Sequence, residues 1–297
     1  MRTNKDKVIK TVVSGVIRHP AWPEGLEANR AGGLSALPGC GGITYDIMAG
    51  DSAYGWAADH LEPGASTHNP DEKERMCYYT VCCMGNKAEV IGGNAEGAEG
   101  YVVAKHAGAW HVVIEFDQRD LREMHIKDQV QVVAYGTGLK LLDYPDVHVN
   151  SIDPECLEAM DIEEKDGKLH VPVAGVVPAV LMGSGMGSSR PMGDVDFMTS
   201  DWEHIKRCGL HELKLGDIVM VNDIDTSYGA KFQEGAASIG IIVHGDSVFS
   251  GHGPGITFFM ASAKPLLIPV IDKTANIRKY HDKAYGPIEP MKRKKVK

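Results

Sequence analysis

No apolar run in this 297-residue chain reaches the roughly 18 residues that a membrane-spanning helix requires. The N-terminus, MRTNKDKVIKTVV, lacks both the apolar stretch and the small-residue cleavage site of a secretory signal. A cytoplasmic protein without a membrane partner is the expectation. Cysteine is sparse, and Cys40, Cys77, Cys82, Cys83, Cys156 and Cys208 contain no C-x-x-C pair. That excludes zinc-finger spacing and a thioredoxin-like motif, and leaves free, mostly buried thiols. The chain has no Walker A loop, no G-x-S-x-G elbow, no H-E-x-x-H and no kinase set, so those catalytic schemes have no support. Basic charge is also short. A net charge of −9 argues against nucleic-acid and anionic-membrane partners, which need a basic face. The basic run Met291–Lys297 is the exception and reads as a solvated tail.

The apolar fraction of 43% and charged fraction of 24% are those of a folded globular protein. The 34 glycines exceed the usual share and favour short strands joined by tight turns. The expected fold class is α+β, β-rich, with mostly antiparallel sheets or barrel-like halves and a few short helices. Tyr101–Lys105 and His111–Phe116 read as a hairpin. Leu169–Val173, Val176–Met182, Ile218–Val221, Ser238–Val243, Ile256–Met260 and Leu266–Ile271 read as strands. Met76–Met84, MCYYTVCCM, also reads as a buried strand. Helices are expected after Asp117, after Asp153-Pro154, and at Ser200–Cys208 with Ser200 as cap. Residues 124–136 and 213–225 share a helix–turn–strand pattern that would suit a weak internal repeat. The division expected is a β-rich part over 1–150, a second over 151–290, and a tail at 291–297. Apolar strands such as MCYYTVCCM and ITFFMAS would leave pairing edges, and predict a homo-oligomer.

Chemistry-bearing residues gather in two Gly-rich runs, Cys40–Ser66 and Val221–Gly255. Loops of this composition carry sites more often than cores do, and the two runs are expected to meet. In the first, Asp59 and His60 offer a carboxylate beside a general base or metal ligand. In the second, Asp223 and Asp225 lie at i and i+2 on one strand face, with Lys231 as a neutralising neighbour and Tyr228 in the turn. These four form a candidate catalytic set, Asp59, His60, Asp223 and Asp225. His244 and His252, each beside Gly, are candidate ligands for a divalent metal ion. Gly183–Arg190, GSGMGSSR, follows a strand but opens no helix, so no nucleotide cofactor is expected. Its backbone amides with Gly185 and Arg190 could still hold an anionic group. The substrate-binding set is therefore Arg190, Tyr228, Gly185 and Lys231.

The strings LPGCGGITYDIMAGDSAYGWAADHLEPGAS, YGTGLKLLDYPDV, VPAVLMGSGMG and GAASIGIIVHGDSVFSGHGPGIT resemble a bacterial and archaeal family known as domain of unknown function 4438. The resemblance runs from about Leu37 to Met260. It implies a β-rich cytoplasmic protein and carries no activity or site residue. On the residues themselves, the expected function is a hydrolase or lyase acting on a small polar metabolite with the help of a metal. The alternative is a non-catalytic protein that binds a small molecule or assembles into an oligomer.

Overall fold

The structure is a computed structural model that describes residues 1–20, 27–35, 37–188 and 193–291. Arg190 and the tail beyond Met291 lie outside the described residues. The first half supplies β1 (Lys10–Ile17), β2 (Glu27–Ala28), β3 (Leu34–Ser35), β4 (Ile43–Thr44), β5 (Gly64–His68), helix α1 (Glu72–Val81), β6 (Lys87–Val90), β7 (Glu99–His106), β8 (His111–Phe116), α2 (Gln118–Leu121) and β9 (Gln129–Tyr135). The second supplies β10 (His148–Val149), α3 (Pro154–Glu158), β11 (Glu163–Lys165), β12 (Lys168–Val173), β13 (Gly175–Val177), β14 (Asp194–Asp196), α4 (Trp202–Arg207), β15 (Ile218–Asp225), β16 (Lys231–His244), β17 (Gly255–Ser262), β18 (Leu267–Ile271) and α5 (Ile277–Tyr285).

The first sheet runs β1-β9-β6-β7-β8-β5, with β4 attached to β5. It closes on itself, because β5 pairs back onto β1 at Val16–His68 and Ile17–Thr67. The result is a six-stranded barrel in which every pairing is antiparallel. Such a ring closes only with an even number of strands. Closure also removes the free edges that an open sheet would have to protect. Ile17, Ala65, Val102, Ile114, Val130 and Val132 share one core cluster with Tyr78 and Tyr79 of α1. At roughly 1.5–3 kcal/mol per large apolar side chain, this burial is a main source of the barrel's stability.

The second sheet runs β10-β17-β16-β15-β13, with β14 also paired to β17. Parallel pairings occur at β13–β15 and at β12–β18 in a separate three-stranded sheet. The fold is thus β-rich and mostly antiparallel. The barrel packs through β7 and β8 onto β16 and β17: Val103 and Val113 join Ile239, Ile241 and Phe259 in the largest core cluster. Thr257 Oγ1 donates to the carbonyl of Lys105 across this junction. Every residue of β8, and all of β7 after Glu99, is buried. Strands covered on both faces lose the apolar–polar alternation of half-exposed ones.

Several local expectations are corrected. The segment Met76–Met84 is not a strand. Most of it belongs to α1, whose Asp71 side chain accepts from the amides of Lys73 and Glu74. Glu72 and Glu74 sit in the first turn, where the helix dipole favours acids. Capping and a tertiary berth for Tyr78 and Tyr79 override the strand propensity of the aromatic and sulfur residues. ITFFMAS lies within β17, an interior strand paired on both sides. Neither segment offers a free apolar edge for self-pairing. Asp201, not Ser200, caps α4 by accepting from the His204 amide. Asp117 and Asp153 cap α2 and α3 as expected. The strand expected over Val176–Met182 ends at Val177, before a 3-10 turn at Ala179–Leu181. Among the described residues no helix is long and apolar enough to cross a membrane.

Candidate metal centre

Five histidines and four carboxylates converge where the barrel meets the second sheet. Three stretches of backbone deliver them. The Cys40–Glu62 loop brings Asp59, His60 and Glu62. The paired ends of β7 and β8 bring His106 and His111. The second sheet brings Asp194 and Asp196 on β14, His244 at the end of β16, and His252 just before β17. Asp194 and Asp196 are two residues apart on a strand, so both carboxylates leave the same face. In register, Asp196 and His244 both stand opposite Gly255, one on each side of it. A Cβ at Gly255 would lie 2.7 Å from His244 Cδ2 and 2.8 Å from Asp194 Oδ2, so glycine leaves the space that these two side chains fill.

Three of the histidines are oriented through Nδ1. His60 Nδ1 bonds Asp59 Oδ1. His106 Nδ1 lies 2.5 Å from Glu62 Oε1, and His244 Nδ1 lies 2.9 Å from the Gly245 carbonyl. In all three the Nε2 remains to face the centre. One ligand nitrogen from each of His60, His106 and His244 lies within 4.8 Å of the other two. Pairing one imidazole nitrogen with a carboxylate or carbonyl is the arrangement that fixes tautomer and aim in metal-binding histidines. The carboxylates are themselves held. Asp59 Oδ2 accepts from the Val248 amide at 2.8 Å and from Ser247 Oγ at 3.2 Å. Glu62 accepts from the Gly41 amide at 2.6 Å, from Ser66 Oγ, and from His111 Nδ1 at 2.9 Å. Asp194 Oδ1 accepts from the Ala107 amide at 2.6 Å.

Burial and charge pairing oppose each other throughout the cluster. Asp59, Glu62, Asp194 and Asp196 are all buried, as are His106, His111 and His244. Burial opposes ionisation of Glu62, yet His111 and His106 outweigh it and hold the carboxyl well below its usual range. Burial likewise opposes ionisation of Asp196, and His244, His252 and His60 more than reverse it. His244 is buried too, but Asp196 and Asp194 raise its pKa well above the ordinary imidazole value. His106 is the exception, since burial pushes its pKa down and favours the neutral ring. Taken without a metal, then, the carboxylates favour the protonated forms of His244 and His60, against the burial of both rings. A divalent cation can replace those protons and satisfy the same carboxylates, and neutral imidazole with carboxylate oxygen is a donor set for Zn²⁺ or Mn²⁺. His60 sits at φ 51, a left-handed conformation that non-glycine residues seldom adopt. Cys40 is buried and shares a ligand grouping with Glu62, His106 and His111, but burial and the Glu62 charge raise its pKa and keep it a thiol.

The sequence-predicted residues divide cleanly. Asp59, His60, His244 and His252 come together: the ring centroids of His60 lie 4.6 Å from His244 and 5.1 Å from His252. Gly185 lies beside them, for a Cβ there would stand 2.6 Å from the Asp194 carbonyl. Ser184 accepts the Asp196 amide and Gly183 donates to the Asp196 carbonyl, so this glycine loop holds β14 by its backbone. Asp223, Asp225, Tyr228 and Lys231 are not in the cluster. They occupy the β15–β16 hairpin, at the end of β16 opposite His244. A bulge between Asn222 and Ile224 breaks the alternation that would have aligned the two acids. Asp223 Oδ1 accepts from the Gly235 amide, and Asp225 pairs with Lys231 at 3.1 Å. Tyr228 is exposed and packs edge-on against His148. Sequence reasoning counted Glu62 among the acids of the site-bearing run without giving it a role, and missed Asp194, Asp196, His106 and His111. The DVD triplet at 194–196 carries the same i, i+2 signal as DID at 223–225.

An open cleft of about 590 Å³ lies beside the centre, lined by Arg30, Tyr54, Thr199, Trp202 and Asp246 among others. Asp246 joins the two, because its carbonyl accepts the His60 amide. His252, with 31% of its side chain exposed, is the most open member of the cluster.

Family models for the domain of unknown function DUF4438 match the chain in two parts, the N-terminal model over residues 26–158 and the C-terminal model over 159–281. The crystal structure of TM1086 is similar, with 42% identity, a TM-score of 0.90, and coverage of 94% of this chain and 99% of that one. No curated protein matches.

Proposed function

The chain belongs to the DUF4438 family, and from its His/carboxylate centre we propose a metal-assisted hydrolase or lyase acting on a small polar metabolite. One observation carries this reading: His60, His106 and His244 each have Nδ1 engaged by an acceptor and a ligand nitrogen within 4.8 Å of the others. A core built only for stability would not bury four carboxylates beside five histidines, since desolvating charges costs several kcal/mol per ion. A divalent ion held between His244 and the Asp194–Asp196 pair, with His60 and His106 close by, would supply Lewis acidity and an activated water at neutral pH. Asp59 and Glu62 hold their histidines in the ligating tautomer. The neighbouring cleft has the volume of a small-metabolite site, with Arg30 and Asp246 as polar contacts and Tyr54 and Trp202 as an apolar wall.

The test begins with elemental analysis of the purified protein and thermal melting with and without EDTA at pH 7.5. Bound metal should be present, and chelation should lower the melting temperature because the ion stabilises the native state by mass action. The metal-loaded protein should then turn over members of a panel of small amides, esters, lactams and hydroxy acids, and the His244→Ala variant should not. Metal-free protein with an unchanged melting curve would end this reading.

A further inference from the structure

We propose that the centre holds two divalent ions, bridged by the carboxylate of Asp196. This deepens the metal reading above and rests on it. The argument comes from which oxygen of Asp196 faces which histidine. Asp196 Oδ2 lies 2.8 Å from His252 Nδ1 and 3.7 Å from His60 Nε2. Asp196 Oδ1 instead lies 3.4 Å from His244 Nε2. His244 Nε2 is in turn 3.2 Å from Asp194 Oδ2. One carboxylate thus serves two separate donor sets through its two oxygens. The first set is His60, His252 and Asp196 Oδ2. The second is His244, Asp194 and Asp196 Oδ1. Ligand atoms within each set lie within 4.8 Å of one another.

Those separations suit occupation by metal. Ligands about 2.0–2.2 Å from a shared ion lie some 3–4 Å apart. A carboxylate that bridges through both oxygens holds its two ions about 3.5–4 Å apart, the spacing of two-metal hydrolytic sites. The second position also explains a strand. β14 is three residues long, pairs with β17, and is gripped by the glycine loop at 183–185. That grip orients both Asp194 and Asp196 toward the centre, so that Asp194 serves the second donor set while Asp196 serves both.

The experiment uses the full chain stripped with chelator, reloaded with Mn²⁺ and desalted. Manganese per chain is counted by elemental analysis, and the pair is examined by electron paramagnetic resonance. Two ions per chain with a spin-coupled spectrum are expected. His252→Ala and Asp194→Ala should each reduce the count to one and remove the coupling. Asp196→Asn keeps the side-chain volume but replaces one oxygen with a non-ligating amide nitrogen. It should lose the coupled signal while circular dichroism shows a native fold. One ion per wild-type chain, or two ions with no coupling, would overturn the bridged pair and leave the metal-assisted function standing. No retained manganese would overturn both.

Discussion

Gly255→Ala tests the centre with a single methyl group. Gly255 has no left-handed backbone angle, so the substitution adds no backbone strain of that kind. The only question is space. The new Cβ would meet His244 Cδ2 at 2.7 Å and Asp194 Oδ2 at 2.8 Å, and would lie closer still to His244 Nε2. Against the 3.4 Å at which ordinary contact begins, Cδ2 alone requires the ring to yield by about 0.7 Å, and Nε2 requires more. His244 is fully buried and anchored through Nδ1 to its own loop, so it cannot swing away freely. Overpacking of this kind costs about 1–3 kcal/mol. At roughly 2–4 °C per kcal/mol, the metal-free protein should melt several degrees lower. The larger effect should fall on metal. Ligand positions tolerate only a few tenths of an ångström, so affinity for Mn²⁺ should fall at least ~10–100-fold, the range seen when ligand-orienting groups are lost. Differential scanning fluorimetry across a Mn²⁺ titration measures both effects. Gly92→Ala is the control, because a Cβ there meets only Gln129 Oε1 at 3.9 Å. If Gly255→Ala matches that control in melting temperature and in manganese affinity, then His244 and Asp194 do not form the site described.

Other outcomes follow from the same geometry. Asp223→Ala should leave metal content and the chelator response unchanged, because Asp223 serves the Gly235 amide in the distal hairpin; elemental analysis would decide. His281 is buried against Tyr101, with ring centroids 4.2 Å apart, and burial lowers its pKa to about 4. Between pH 6.5 and 4 the unfolded chain binds a proton that the native state refuses, so this residue's contribution to stability is lost as pH falls. His281→Phe should flatten that part of the urea-stability profile, by an amount on the order of 3 kcal/mol. Asp217 works in the opposite direction. Burial raises its pKa to about 6 against bonds from Asn276 and the Lys214 amide. The native state therefore keeps a proton that the unfolded chain has released, and stability falls as pH rises from about 4 to 6. Asp217→Asn should abolish that fall, and a slope equal to wild type would refute the assignment.

Local chemistry was enough to locate part of the centre. Asp59, His60, His244 and His252 stand out because acids and histidines beside glycine are costly in a core and belong in site-bearing loops. The hairpin of β7 and β8 and the caps at Asp117 and Asp153 were legible for a similar reason, since turn and cap residues act within a few positions. Tertiary structure decided the rest. DVD at 194–196 and DID at 223–225 carry the same signal. One becomes a pair of aligned carboxylates on β14, and the other is broken by a bulge and neutralised by Lys231. Only strand pairing separates them. His106 and His111 look like core and turn residues, and Glu62 is one acid among several in its run, until barrel closure and the packing of β7 and β8 on the second sheet bring them together. That closure depends on β1 meeting β5 across about fifty residues, and no local pattern sets such a register. MCYYTVCCM has the composition of a strand, yet the Asp71 cap and the space waiting for two tyrosines make most of it a helix. Short-range preferences amount to tenths of a kcal/mol per residue, whereas burying a tyrosine or pairing a buried carboxylate is worth several-fold more, so where the two disagree the long-range term sets the structure.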